Sequence, residues 1–266
     1  MENSKLEELL NLIDSTVQQS YSIKLWVPSL LNTPTEYLMF KPLNISQQKK
    51  LMSTSLEEDV QNTAFCKEFY NIIVENYIKD ESNFNIFNLT IIDKILIALS
   101  IRANTTNIYT VNNFNVDLTD LIEKIKIEIC NNVDLLSSQT FTYHDNIAMK
   151  CSVPSIKTEF DSEYLKSPLS LKDAESKITN IIIDTVSAEI SKYTNVISIN
   201  NNEYNLDTFS FSERKDILDK IPAGALEQVL NYIISTKQFI EKLLTVNLSE
   251  DTTEVLQING SFFATL

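Results

Sequence analysis

The chain is nearly without glycine: Gly224 and Gly260 are the only two in 266 residues. At the usual frequency of roughly 7%, a chain of this length would carry about nineteen. Glycine-rich phosphate loops, dinucleotide-binding turns and nucleophile elbows need positive φ or close backbone approach. None can be written with these two glycines. Histidine is scarcer still, with His144 alone, which excludes a multi-histidine metal site. His144 itself reads as a structural or exposed residue at a strand or turn rather than as a general base. The three cysteines, Cys66, Cys130 and Cys151, are dispersed and odd in number. They form neither a zinc pattern nor a disulfide framework, and read as buried free thiols in a reducing compartment. Long apolar runs are missing too. The densest, "IIDKILIALSI", is too short and too charged to cross a bilayer, which needs about 20 residues. The N-terminal "MENSKLEELL" is acidic and amphipathic, unlike a signal peptide.

What is abundant is acid. Asp and Glu number 36 against 22 Lys and Arg, a net charge of −14. Such a chain repels nucleic-acid phosphates and anionic membrane surfaces, so neither is expected as a partner. With 43% hydrophobic and 22% charged residues, the composition is that of a globular protein.

The pattern along the chain predicts an α+β fold, helix-rich with short antiparallel hairpins. Ser4 and Glu7 form a capping box before an amphipathic helix ending near Ser20. "SIKLWVPSL" and "TEYLMFKPL" read as a hairpin turned at Pro34. A short helix covers about 46–53, and Ser55 with Glu58 suggests a second capping box. Val60, Phe65, Phe69, Ile72, Ile73 and Tyr77 then recur at helical spacing. "NLTIIDKILIALSIRAN", with Thr90 as N-cap, is apolar on most sides and should be the central buried helix. "NIYTV" and "FNVDL" are strand-like; "LTDLIEKIKIEI" fits strand or helix; "TFTYHDNIAMKCSVP" fits one strand or a hairpin.

Pro154 and "KSPLSLKDA" mark a boundary, giving an N-terminal α+β domain over 1–155 and a C-terminal helical region with a terminal hairpin over 156–266. Leu171, Ala174, Ile178, Ile181, Ile182, Val186 and Ile190 define a long helix, followed by a strand "VISI" and a turn "NNNE". "SERKDILDKI" and "AGALEQVLNYIIST" are helices split by Pro222. "KLLTVNL" and "TEVLQIN" form a hairpin around "SEDT". Gly260 then offers the backbone a sharp turn into "SFFATL".

No constellation here carries catalysis. Asp117, Asp120 and Glu123 share a face if their segment is helical, but on so acidic a chain this reads as a solvated face. "DSEY" and "SEDT" lack the length and central glycine of a calcium loop. Lys49 and Lys50 read as a solvated turn. Phe262 and Phe263, adjacent near the end, either both enter the core or divide between core and partner. No catalytic, metal or cofactor site is expected.

Residues 37–107 resemble the baseplate hub and hub-assembly family of T-even-like contractile-tailed phages. The likeness rests on Phe40, Lys41, Pro42 and Leu43 followed by the "QQKKLM" run, and on Leu99, Arg102 and Ala103 closing an apolar helix. Further along, "KIPAGALEQVLNYI" and the Phe262–Phe263 pair fit the family's order. Two features depart from it. "NTTNIYT" lacks the glycine that relatives carry after the Arg-Ala pair, and "VNLSEDTTEVLQ" lacks the paired cysteines of a knuckle. The resemblance implies a non-enzymatic protein that docks onto other baseplate hub proteins. It would be a chaperone-like factor in the host cytoplasm or a retained subunit of the virion tail baseplate. The alternatives are a helical adaptor of non-phage origin and a hydrolase using scattered carboxylates.

Overall fold

A computed structural model describes residues 5, 7–9, 12, 21–24, 37–56, 63–78, 85–144, 146–161, 178–249 and 252–264. The fold is α+β, with helices packed among short antiparallel sheets. Lys5, Glu7, Glu8, Leu9 and Leu12 are helical, and Leu9 and Leu12 face solvent. The other residues expected in a helix up to Ser20, with Pro34, Glu58, Val60, "KSPLSLKDA", Leu171 and Ala174, lie outside the described residues.

Strands β1 (Tyr21–Lys24) and β2 (Tyr37–Phe40) pair antiparallel, as the hairpin reading expects. Leu38 and Phe40 point inward while Tyr37 and Met39 point out, the alternation a pleated strand imposes. After Pro42 the chain enters α1 (Ile45–Ser53), capped by Asn44 and Gln47. Helix α2 (Thr63–Asn76) follows. It stops one residue short of the periodic pattern, because Tyr77 with Ile78 forms β3 and pairs with β2. A two-residue strand carries no periodicity of its own.

Helix α3 (Ile91–Thr105) is the centre of the first core. Thr90 and Asp93 cap it reciprocally: the Asp93 N–H donates to Thr90 Oγ1 at 3.3 Å and the Thr90 N–H donates to Asp93 Oδ2 at 2.9 Å. Ile92, Leu96, Ile97, Ala98, Leu99 and Ile101 are all buried. A hairpin of β4 (Ile108–Val111) and β5 (Phe114–Asp117) leads into α4 (Leu118–Asn131), so the ambiguous segment is a helix. Leu118, Leu121, Ile125 and Ile129 bury one of its faces.

A short α5 (Val133–Leu136) precedes a four-stranded sheet. Its strands, in spatial order, are β6 (Gln139–Tyr143), β7 (Ile147–Cys151), β8 (Thr194–Ile199) and β9 (Asn202–Asn205). Between β7 and β8 run α6 (Ile156–Asp161) and α7 (Ile178–Tyr193), with Val186 turned to solvent. Helix α8 (Phe211–Leu218) is followed by α9 (Ala223–Leu244), the longest helix among the described residues, which Pro222 precedes as N-cap. "KLL" is the end of α9 rather than the start of a strand. The terminal hairpin is β10 (Thr245–Ser249) with β11 (Thr252–Val255). A 3-10 turn over Gly260–Phe263 follows.

The tight turns show how the chain manages without glycine. Neither glycine adopts positive φ; Asn112, Asn113, Asn200, Asn201 and His144 do. Asparagine tolerates the left-handed region better than other side-chain-bearing residues. Gly260 does open the expected turn, a 3-10 turn into Phe262 and Phe263, but with an ordinary φ rather than the left-handed one that only glycine takes easily.

Among the described residues two clusters of buried apolar residues form, and both draw on the chain before and after residue 155. The first surrounds α3 and includes Phe239, Leu243, Phe262 and Phe263. The second joins Met149 and Cys151 to Ile190, Tyr193, Val229 and Tyr232. Helix α9 enters both, its first half in the second cluster and its last turns in the first. The stretch around Pro154 is stitched to the start of α3: Ile91 N–H donates to Pro154 O at 3.0 Å and Ile156 N–H donates to Leu89 O at 2.7 Å.

Candidate functional site: a C-terminal clasp and a charged cleft

Two features stand out, and the first is built from residues singled out in the sequence: Phe40–Leu43, Leu99, Arg102, Ala103 and the terminal phenylalanine pair. Phe40 and Leu99 are fully buried in the first core, with Leu43 and Ala103 packed against it. Lys41 is exposed, and its role is structural through the backbone: its N–H donates to Asn76 O at 2.8 Å. Asn76 and Gln47 exchange side-chain amide bonds of 2.8 and 3.2 Å, both buried, which fixes the turn after Pro42. Arg102 is 5% exposed. Its Nε donates to the Phe262 carbonyl at 2.9 Å and its Nη1 to the Thr106 carbonyl at 2.6 Å. Its guanidinium lies 5.7 Å from the Tyr109 ring, which packs on Phe262 with centroids 4.9 Å apart. Phe263 stacks on Phe65 and meets Phe69 with its ring tilted. Both terminal phenylalanines thus enter the core. Asn259 Oδ1 accepts from the N–H groups of Ser261 and Phe262, closing the turn. Gly260 is there for close approach: a Cβ at this position would sit 2.2 Å from the Leu51 carbonyl oxygen.

The second feature is a cleft of about 330 Å³ where α7 and α9 meet Ile91 and the Pro154 stretch. Ile91, Pro154, Ile240 and Val255 supply apolar walls; Glu159, Glu189, Lys192, Lys237 and Glu241 supply charge. Lys94, the one basic residue within the apolar run of α3, donates to Glu159 Oε2 at 2.6 Å and to the Tyr70 hydroxyl at 3.3 Å. Tyr70 also donates to Glu159. Burial would pull Lys94 down and push Glu159 up, but Glu159, with Cys66, raises Lys94, and Lys94, with Tyr70 and Lys192, lowers Glu159. Lys94 is held above its ordinary value and Glu159 below it, so both are ionised. Burial, reinforced by Glu159, drives Tyr70 far up. Glu189 accepts from Lys192 at 2.8 Å and pairs with Lys237 at 2.6 Å. Burial works to raise it, and the two lysines together bring it below its usual range. Tyr193 is raised by burial and by Glu189. None of these shifts sets a group to exchange protons near neutral pH.

The remaining residues singled out in the sequence do not assemble. Asp117 caps α4 through the N–H groups of Thr119 and Asp120, whereas Asp120 and Glu123 are exposed, and Glu123 pairs with Lys126. Lys49 and Lys50 lie on the exposed face of α1, with Lys50 3.6 Å from Glu68. His144 is exposed in the β6–β7 turn, its ring against Tyr143. Of the cysteines only Cys151 is buried, its thiol pushed up to about 11 by burial and so unreactive. Cys66 is half-buried and Cys130 exposed, because Cys130 falls on the solvent side of α4 next to buried Ile129. Among the described residues no group of His, Cys, Asp and Glu could hold a metal, and no helix is long and apolar enough to cross a membrane.

Sequence reasoning missed the cleft. Two signals for it existed: a lysine inside an apolar helix, and Glu189 three residues before Lys192. Nothing local ties Glu159 to Lys94, which are 65 residues apart. In comparisons with known proteins, no family model, no curated protein and no solved structure matches the chain.

Proposed function

We propose that the protein acts in assembly of the baseplate hub of a contractile-tailed phage, as a chaperone-like factor or a retained subunit. It works by docking onto other hub proteins. The observation that carries this reading is the bond from Arg102 to the Phe262 carbonyl. It ties the apolar helix ending in Leu99, Arg102 and Ala103 to the terminal aromatic pair. Gly260 packs that pair's turn onto α1, directly after Phe40–Leu43. The two stretches on which the resemblance rests and the terminal aromatic pair that fits its order therefore form one interlocked unit.

The chemistry of the cleft supports docking over catalysis. A carboxylate hydrolase needs two acids with opposed proton affinities. Glu159 and Glu189 are both held ionised by lysines. The net charge of −14 suits a role in orienting basic surfaces on a partner and rejecting wrong ones.

The test is genetic. Deleting the gene from the phage that encodes it should give tails without a functional hub and abolish infectious particles. Normal yields from the deletion would overturn the reading. Detecting the chain in purified virions would assign the subunit role; its loss on maturation would assign the assembly role.

A further inference from the structure

The ion pairs of the cleft are unevenly exposed. Glu189 holds two ammonium groups, but the Lys192 side chain is 14% exposed and that of Lys237 is 53%. The exposed pair is the weak one. Glu241 stands four residues beyond Lys237 on α9, exposed at the same cleft. Residues so spaced are neighbours on a helix surface. Lys237 can therefore exchange Glu189 for Glu241 and keep a partner throughout, while one oxygen of Glu189 comes free.

Apolar walls beside a carboxylate suit a long side chain with an apolar stem and a cationic head. A guanidinium fits better than an ammonium, since its planar fork matches a carboxylate and it is more weakly hydrated. The cleft, at about 330 Å³, holds one such side chain rather than a segment of chain. Its three glutamates are balanced by Lys192, Lys237 and the Lys94 that holds Glu159, so the pull on cations comes from the chain's overall charge of −14.

We propose that this cleft receives an arginine side chain from a protein partner, its guanidinium replacing Lys237 on Glu189 while Lys237 moves to Glu241. The inference rests on the docking reading above and names the chemistry of one contact in it.

The test titrates the full chain with Nα-acetyl-arginine N-methylamide, following backbone amide shifts by NMR. The neutral citrulline analogue and Nα-acetyl-glutamate N-methylamide serve as controls. The arginine probe should shift amides around Glu189, Lys192 and Ile240, and neither control should. Lys237→Met removes the competitor and should tighten the arginine probe about two- to five-fold, the scale of a half-exposed ion pair. Glu241→Gln removes the receiving carboxylate and should weaken it by a similar factor. Lys220→Met, which changes net charge equally at an exposed site on the loop before α9, should do neither. Citrulline binding as tightly as arginine, or Lys237→Met weakening arginine, would overturn the proposal. A chain that joins hub proteins but shows no arginine-dependent shift would sink this inference alone. A chain that binds the probe as described but joins no hub protein would sink the docking reading alone.

Discussion

Asp93 is the residue with the clearest pH signature. The residue is 1% exposed, and burial pushes its pKa up to about 7 although the Thr90 hydrogen bonds pull the other way. In the unfolded chain it titrates at about 3.9. Between those values the folded form holds a proton that the unfolded form releases. This contribution to stability is full below the unfolded pKa and is lost as pH rises through about 7. Glu159 and Glu189, held low, act in the opposite sense: their contribution is present above the ordinary carboxylate range and is lost as pH falls through their folded pKa values. Comparing Asp93→Asn with the parent isolates the first effect. The variant should lack the decline toward pH 8 and gain on the parent there by a few kcal/mol, on the order set by linkage. Parallel denaturation profiles from pH 5 to 8 would refute the assignment. Gly260 gives a second prediction at this scale. A methyl group there meets the Leu51 backbone, so Gly260→Ala should cost about 1–3 kcal/mol in denaturant unfolding. Gly224→Ala meets only the movable end of the Tyr143 ring and should be neutral or mildly stabilising. Equal behaviour of the two variants would contradict the close packing at Gly260.

At the scale of elements, α3 and the C-terminal turn depend on each other. Leu96 is 2% exposed and Leu99 fully buried, so truncating either to Ala should cost about 2–5 kcal/mol. Melting curves superimposable on the parent for both would remove α3 from the centre of the core. Deleting residues after Asn259 exposes the aromatic faces of Phe65, Phe69 and Tyr109 and leaves the Arg102 Nε without its carbonyl. That chain should melt well below the parent, since each buried Phe contributes roughly 1.5–3 kcal/mol. Unchanged melting would mean the turn is dispensable. Much of this level was legible in the sequence. Thr90 announced the start of α3, and alternation announced the hairpins. Other features were not legible, for physical reasons. The β3 pairing involves two residues and has no period. The end of α9 and the start of β10 share one apolar run, which hides the change of structure at Thr245.

At the scale of the whole molecule, the clasp and the cleft are products of long-range closure. Arg102 meets Phe262 across 160 residues, and Lys94 meets Glu159 across 65. Local pattern reports which segments are helix or strand. It does not report which side chains meet, so the candidate cleft was invisible while the motif residues that build the clasp were already in view. The two cores share α9 and draw on both halves of the chain, which makes cooperative unfolding the expectation despite the boundary suggested by Pro154. The central claim is that this acidic, interlocked body docks onto baseplate hub proteins. It is tested most directly by isolating the tagged chain from infected cells at a stage when tails are being assembled and identifying what is bound to it in stoichiometric amount. The account predicts one or more hub proteins, lost when the C-terminal turn is deleted. Recovery of the chain alone, from cells that still yield infectious particles, would contradict it.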